Sequence, residues 1–486
     1  MTASTANVYQ YAPRNAHFRL RTPGHPESHL TPGIEVSTGP LGQGFANAVG
    51  LAAAEAHLSA TFNRESFNLI DNYTYVFMGD GCMQEGVASE AASLAGHLRL
   101  SKLIVFYDDN SITIDGSTDL SFTENVEKRF EAYGFHCLRV ANGNEDLEAM
   151  SEAISAAKMM TDRPTLIIVK TIIGIGSHAA GTEKVHGSPL GSEDLANVKR
   201  KFGFSPEESF VVSDEARAMY GAAKARGEAE FVQWTQLFEA YRQKYPDLAS
   251  EFERRVKKQL PASLQPDMLP AFDPSGPAVA TRKLSEQLLT TLAPHLPELI
   301  GGSADLTASN LTQWKGATEF QAPGPLGSYA GRYWRFGVRE HAMFAVMNGL
   351  AAYGALLPFG GTFLNFITYG WGALRLTALS HLPGLFVMTH DSVGLGEDGP
   401  THQPIEALPA LRALPNCLVL RPADGNETSA AYWAALNFAA YPSTGLSRPA
   451  VLCFSRQNLP QLAGSSFDGA LRGAYIQIGR ASCRER

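Results

Sequence analysis

The chain has 486 residues, 44% of them hydrophobic and 18% charged, which allows about three domains with large cores and excludes disordered, collagen-like and mini-protein classes. Forty basic residues stand against forty-eight acidic ones, a net charge of −8, so bulk charge gives no nucleic-acid footprint. No apolar run approaches the roughly 20 residues of a membrane span, and Met1 to Asn7 has neither the basic flank nor the apolar core of an export signal.

The five cysteines (Cys82, Cys137, Cys417, Cys453 and Cys483) form no CxxC pair, so no zinc site or disulfide framework is indicated and a cytoplasmic setting is expected, with no membrane or nucleic-acid partner. Along the chain, a strand-like run at Tyr75-Val76-Phe77-Met78 precedes a helix-compatible stretch from Ala88 to Leu100. Further runs follow at Leu103 to Tyr107 and Thr165 to Val169. Such alternation predicts βαβ units and a parallel sheet. From about Lys199 the texture turns helical and charged, and Glu251 to Lys258 reads as a solvated helix face. Pro261, Pro266, Pro270, Pro274 and Pro277 then crowd a stretch that reads as an extended linker. Strand candidates resume at Leu299-Ile300, Arg335 to Val338, Leu385 to Met388, Cys417 to Leu420 and Val451 to Phe454. The predicted fold class is α/β: two domains, each with a parallel sheet flanked by helices, joined by a helical and proline-rich linker.

Gly79-Asp80-Gly81 directly follows one strand, and Asp108-Asp109-Asn110 follows the next. In a parallel sheet both would sit at carboxyl ends of neighbouring strands, where open α/β sheets bind ligands. The aspartate and asparagine offer hard oxygens, and the glycines allow close backbone approach, which suits Mg²⁺ shared with phosphate oxygens. Alone, the Gly-Asp-Gly string would be an ordinary strand-to-helix turn. Paired with Asn110 it resembles the diphosphate-binding motif of thiamine-diphosphate enzymes, which implies Mg²⁺ or Ca²⁺ on Asp80, Asn110 and the carbonyl of Ile112.

The second half carries, in order, Gly302-Ser303-Ala304-Asp305-Leu306, Arg335 to His341, Gly361 to Phe366 and the long string Thr389 to Glu406. These closely resemble the transketolase family, and the resemblance runs from about Phe18 to Tyr475. It takes in Thr22-Pro23-Gly24-His25-Pro26-Glu27 and Ser455 to Pro460. It implies thiamine diphosphate as cofactor, sugar phosphates as substrates, and a homodimer whose cofactor lies between the first domain of one subunit and the second domain of the other. The implied activity is reversible transfer of a two-carbon ketol unit from a ketose phosphate (xylulose 5-phosphate) to an aldose phosphate (ribose 5-phosphate or erythrose 4-phosphate) in the pentose phosphate pathway.

The resemblance also implies residue roles. Glu340 would share a proton with the aminopyrimidine ring, as a general acid–base would, although a carboxylate there could also simply cap its helix. Phe363, Phe366 and Tyr369 would enclose the pyrimidine, although their spacing also fits a buried helical stripe. Leu41 and Ile112 would flank the thiazolium, Asp305 would lie near it, and Gly39, Gly81, Asn110 and His186 would complete the cofactor contacts. Arg282, Ser309, His390 and Arg456 match phosphate-binding positions, Asp398 a carboxylate that recognises a sugar hydroxyl, and His25, His186 and His402 histidines that move protons near neutral pH.

The implied organisation is a non-matching segment 1–17, a diphosphate domain 18–200 lacking its amino-terminal part, a helical extension and linker 201–277, and a pyrimidine domain 278–460. Residues 461–477 would begin a missing third domain. The tail Ile478 to Arg486 resembles an in-frame translation of a sequencing adapter. Nothing in Met1 to Arg14 resembles the family's amino-terminal helical region with its two histidines, and His17 occupies neither position. The expectation is therefore a chain trimmed at both ends with little turnover. Two alternatives stand beside the leading reading: a dihydroxyacetone-synthase-like enzyme with formaldehyde as acceptor, and a non-catalytic truncated isoform or defective gene model.

Overall fold

The computed structural model describes residues 25–28, 30–443 and 445–477. Expectations that fall on residues 1–17, on Thr22-Pro23-Gly24 and on the tail Ile478 to Arg486 with Cys483 lie outside the described residues. The chain divides into two compact units, one ending at Ser250 and the other beginning at Glu251. No helix among the described residues is long and apolar enough to cross a membrane.

In the first unit the alanine-rich α1 (Gln43–Phe62) starts from Gly42, which sits at φ 79° where a Cβ would come within 2.7 Å of the Val87 side chain. Then come β1 (Thr74–Gly79), α2 (Asp80–Gln84), α3 (Gly86–His97), β2 (Leu103–Asp109), a two-residue hairpin of β3 (Ile112–Thr113) and β4 (Gly116–Ser117), α4 (Val126–Tyr133), β5 (His136–Val140), α5 (Leu147–Met159) and β6 (Thr165–Lys170). The main sheet runs β1-β2-β6-β5, all parallel. Parallel strands need crossover helices and are covered on both faces, which is why β2 and β6 are unbroken apolar runs. At the sheet edge β1 instead alternates, with Tyr75 and Phe77 exposed. Its register sets Gly79 beside Asp108, so the loops after β1 and β2 open at the same end. The unit closes with α6 (Ser192–Lys201) and the 31-residue α7 (Asp214–Lys244), whose Ser213 cap accepts from the Ala216 N–H at 3.2 Å. The later part of α7 is pinned: Trp234 Nε1–H donates to the Leu69 carbonyl at 2.9 Å and the Tyr241 hydroxyl to that of Phe62 at 2.8 Å.

The helix α8 (Pro246–Val256) carries the charged stretch, and here the expectation of a solvated face is corrected. Arg255 is 4% exposed and pairs with Glu251 one turn back, while Arg254 forks onto Glu298 at 2.7 and 2.9 Å. Glu298 is itself 1% exposed. A period-four pattern of opposite charges looks the same in sequence whether water or protein faces it.

Beyond it lie α9 (Thr281–Leu292), β7 (Leu299–Ser303), α10 (Thr307–Asn310), β8 (Tyr333–Arg335), α11 (Glu340–Tyr353), β9 (Leu357–Phe363), α12 (Trp371–Leu379), β10 (Gly384–Thr389), α13 (Ala407–Ala413), β11 (Leu418–Leu420), α14 (Gly425–Ala434) and β12 (Pro449–Phe454). The sheet runs β11-β12-β10-β9-β7-β8 and is again parallel throughout. Gly301 and Gly302 let β7 pass between its neighbours: a Cβ on them would sit 1.8 Å from the Phe359 carbonyl oxygen and 1.9 Å from that of Trp334. The expected strand Arg335 to Val338 is displaced to Tyr333–Arg335, because Gly337 turns the chain at φ 68° and Val338 faces solvent.

Candidate functional site

In the first unit the chain leaves β1 and enters α2 at Asp80, a buried residue. The Tyr107 hydroxyl donates to Asp80 Oδ1 at 2.6 Å, while Oδ2 is buried and finds no hydrogen-bond partner among the described residues. Burial holds this carboxyl above its usual range, partly opposed by the Tyr107 hydrogen bond. Leaving β2, Asn110 accepts the Ile112 N–H on Oδ1 at 3.0 Å and donates through Nδ2 to Asp108 at 3.3 Å. Ser111 between them sits at φ 62°.

An orphaned buried carboxylate oxygen is costly and invites a cation. Asp80, Asn110 and the Ile112 carbonyl supply the neutral and anionic oxygens that Mg²⁺ or Ca²⁺ prefers. A side chain on Gly81 would meet Leu41 Cδ1 at 2.9 Å, so glycine keeps the approach open. The residues present therefore fit a divalent ion and its diphosphate. Leu41, Asp80, Gly81, Asn110, Ile112 and His186 line one cleft of about 970 Å³, floored by apolar groups such as Phe77, Phe106 and Ile154. His25 and Gly39 line a second cavity of about 430 Å³ that shares Leu41.

In the second unit Phe363 ends β9 and stacks on His390, with ring centroids 3.7 Å apart. His402 meets Phe366 edge-on at 5.2 Å, and Tyr369 lies 5.9 Å from Phe366. These aromatics do not form a buried helical stripe: Phe363 belongs to a strand, Phe366 to the 3₁₀ turn Leu364–Thr368, and Tyr369 is 64% exposed. Arg282 donates through Nη1 to the Ser309 carbonyl, and its buried Nε has no partner among the described residues. Burial, then the like charge of Arg456, lowers the proton affinity of Arg282. Burial pushes the His390 ring down to about 4, and Arg282, Arg456 and His402 push the same way. The two guanidinium groups thus stand near enough to each other and to the His390 ring to act on their proton affinities.

Glu340 opens α11, half-buried, and burial raises its carboxyl. Asp305 stands exposed at φ 61°, and Asp398 is exposed on the loop before His402. Among the described residues none of these three has a ring contact or hydrogen bond to the histidine and aromatic cluster.

Three residues escape the sequence reading. Tyr107 is one, and its only signal is a hydroxyl in an otherwise apolar strand. The others are Asn310 and Thr389, both fully buried: Thr389 Oγ1 lies 2.7 Å from Asn310 Oδ1 and 2.9 Å from His390 Nδ1.

Residues 8–261 match the family model described as transketolase, thiamine diphosphate binding domain, and residues 277–461 that of transketolase, pyrimidine binding domain. Transketolase 1 of Saccharomyces cerevisiae is 56% identical over 94% of this chain and 66% of its own length. The transketolase of Nostoc sp. is 52% identical over 94% of this chain and 67% of its own. A crystal structure of the Pichia stipitis transketolase in complex with sedoheptulose 7-phosphate superposes with a TM-score of 0.91 at 53% identity, over 95% of this chain and 67% of that one. The chain thus spans about two thirds of the length of these relatives.

Proposed function

Because this chain belongs to the transketolase family, we propose that it carries the thiamine-diphosphate and sugar-phosphate sites of a transketolase, which moves a two-carbon ketol unit from a ketose phosphate to an aldose phosphate. The observation that carries this reading is the orphaned Asp80 Oδ2, buried beside Asn110 at the carboxyl ends of adjacent strands. Asp80, Asn110 and the Ile112 carbonyl would hold a divalent ion against the diphosphate, with Leu41, Gly39, Gly81 and His186 around it. Thiamine diphosphate, when bound, supplies the nucleophilic carbon and the electron sink.

The protein's part is to position and to move protons. Glu340, held neutral more readily by burial, would exchange a proton with the pyrimidine nitrogen, while Phe363, Phe366 and Tyr369 would shield that ring from water and Asp305 would lie near the thiazolium. Arg282, Ser309, His390 and Arg456 would hold the substrate phosphate, Asp398 a sugar hydroxyl, and His25, His186 and His402 would relay protons to and from the sugar. The solved relatives bound to sedoheptulose 7-phosphate and to xylulose 5-phosphate support sugar phosphates as the substrate class.

By the same reading the protein is a cytoplasmic homodimer, with Asp80 and Asn110 of one subunit serving the same cofactor as the partner's Glu340. Domain limits near 18–200 and 278–460 accompany it. Titration of the purified chain with thiamine diphosphate and Mg²⁺, followed by sedimentation and a xylulose 5-phosphate plus ribose 5-phosphate assay, tests it. Saturable, Mg²⁺-dependent cofactor uptake by a dimer is expected; tight uptake by a strict monomer would contradict the shared site.

A further inference from the structure

The cleft that holds Asp80 and Asn110 has a third arm, the end of β6, far from both in sequence. β6 lies beside β2 with Lys170 opposite Asp109, and the Thr171 N–H extends that ladder to the Asp109 carbonyl at 3.2 Å. Two side chains then reach across. Thr171 Oγ1 donates to Asp108 Oδ1, and Lys170 Nζ donates to Ser111 Oγ at 2.7 Å and to Asp109 Oδ1 at 3.1 Å. The end of β6 is itself fixed: the Gly143 N–H donates to the Lys170 carbonyl at 2.8 Å, and a Cβ on Gly143 would stand 2.2 Å from Val169 Cγ1.

These contacts run on to the groups that would face a cation. Asp108 Oδ2 accepts from Asn110 Nδ2 at 3.3 Å, and Asn110 Oδ1 accepts the Ile112 N–H at 3.0 Å. A main-chain N–H can only donate, so the amide has one orientation: reversed, its nitrogen would meet that N–H and its oxygen the carboxylate. Ser111 sits between Asn110 and Ile112 at φ 62°, where a serine stays only if its surroundings hold it. It is held twice, since its carbonyl accepts the Thr118 N–H at 3.0 Å and its hydroxyl oxygen accepts from Lys170. Asp80, Asp108, Asn110, Ile112 and Thr171 all line the same cleft.

We propose that, on the cation-site reading given above, Thr171 and Lys170 are positioning residues for the divalent ion. Thr171 orients the Asn110 amide through Asp108, and Lys170 keeps Ser111 turned so that Asn110 and the Ile112 carbonyl stay beside Asp80. Neither supplies a ligand. An exposed lysine–aspartate pair contributes little by itself, so Lys170 acts through Ser111 rather than through Asp109. A loop already shaped for the cation leaves less ordering to be done on binding, whereas a loosened one must first be gathered from several conformations. The loss therefore falls on metal affinity and disappears once the metal is saturating.

The test is equilibrium dialysis of thiamine diphosphate against the purified chain over a series of Mg²⁺ concentrations. Thr171→Val removes the hydroxyl and keeps the shape. It should raise the Mg²⁺ concentration for half-maximal uptake about tenfold, with uptake at saturating Mg²⁺ unchanged; Thr171→Ser should restore the midpoint. Asp108→Ala should raise it as well, and adding Thr171→Val to that variant should shift it no further, since the two act in series. Should the valine variant not fold, Lys170→Met, at an exposed position, is read in the same way. A midpoint that stays or falls in the Thr171→Val chain, or a loss of uptake that saturating Mg²⁺ does not repair, overturns the proposal and leaves the cation site standing. Uptake by the unmodified chain that does not depend on Mg²⁺, or no uptake at all, overturns both.

Discussion

Tyr107 donates its phenolic proton to Asp80 Oδ1 across 2.6 Å, between two adjacent parallel strands and out of contact with water. One carboxylate oxygen is thereby held by the protein, and under the proposed function the other would face the cation. Tyr107→Phe removes the hold, and the loss of a hydrogen bond to a charged group should weaken Mg²⁺-dependent cofactor binding about tenfold or more. Quenching of tryptophan fluorescence during cofactor titration measures it.

Glu340 is half-buried, and among the described residues no side chain hydrogen-bonds to it. Glu340→Gln keeps its shape and removes its proton chemistry. Cofactor affinity should change by no more than a few-fold, whereas exchange of the cofactor's C2 proton, followed by NMR in deuterated solvent, should slow by about 10²-fold or more.

Glu298 answers Arg254 from a fully buried position. Removing one member of a buried pair strands the other, so Glu298→Ala should destabilise the second unit by about 3–5 kcal/mol. A urea titration of the variant reads this as a lower midpoint, and an unchanged midpoint would show the pair to be dispensable.

Gly302 has the Trp334 carbonyl oxygen 1.9 Å from where a Cβ would stand. Backbone cannot yield as a flexible side chain can, so Gly302→Ala should force β7 and β8 apart and lower thermal stability by more than the about 1–3 kcal/mol of ordinary overpacking. Differential scanning calorimetry is the measurement.

His390 makes stability depend on pH in a definite sense. Its ring titrates near 4 in the folded chain and from an ordinary 6.5 when unfolded. Between those values the unfolded state binds more protons, so stability from this residue falls as pH drops from 6.5 to about 4 and is flat above and below. His390→Gln should reduce the slope of unfolding free energy against pH by about one proton within that window.

The sequence reveals what is local. Strands at Tyr75 to Met78, Leu103 to Tyr107 and Thr165 to Val169 are apolar runs, and each lies inside an observed strand. The strings around Asp80 and Asn110 predict the ends of neighbouring strands, and the register of Gly79 with Asp108 brings them together. Illegible features depend on distant partners. Nothing near Arg255 says that water is excluded there, because burial is decided by what packs above it. The buried hydrogen bond between Thr389 and Asn310 joins residues 79 positions apart. Arg335 to Val338 misleads for a local reason: an apolar composition hides a glycine in the left-handed region.

The fork of Arg254 on Glu298 also constrains how relatives can be recombined. A crossover placed in the proline-rich stretch between Pro261 and Pro277 looks harmless, since little regular structure lies there. It would nevertheless draw the arginine from one parent and the glutamate from the other, and any mismatch would leave a lone charge in the core. Chimaeras joined ahead of Pro246 keep both residues, and Glu251 with Arg255, from the same parent.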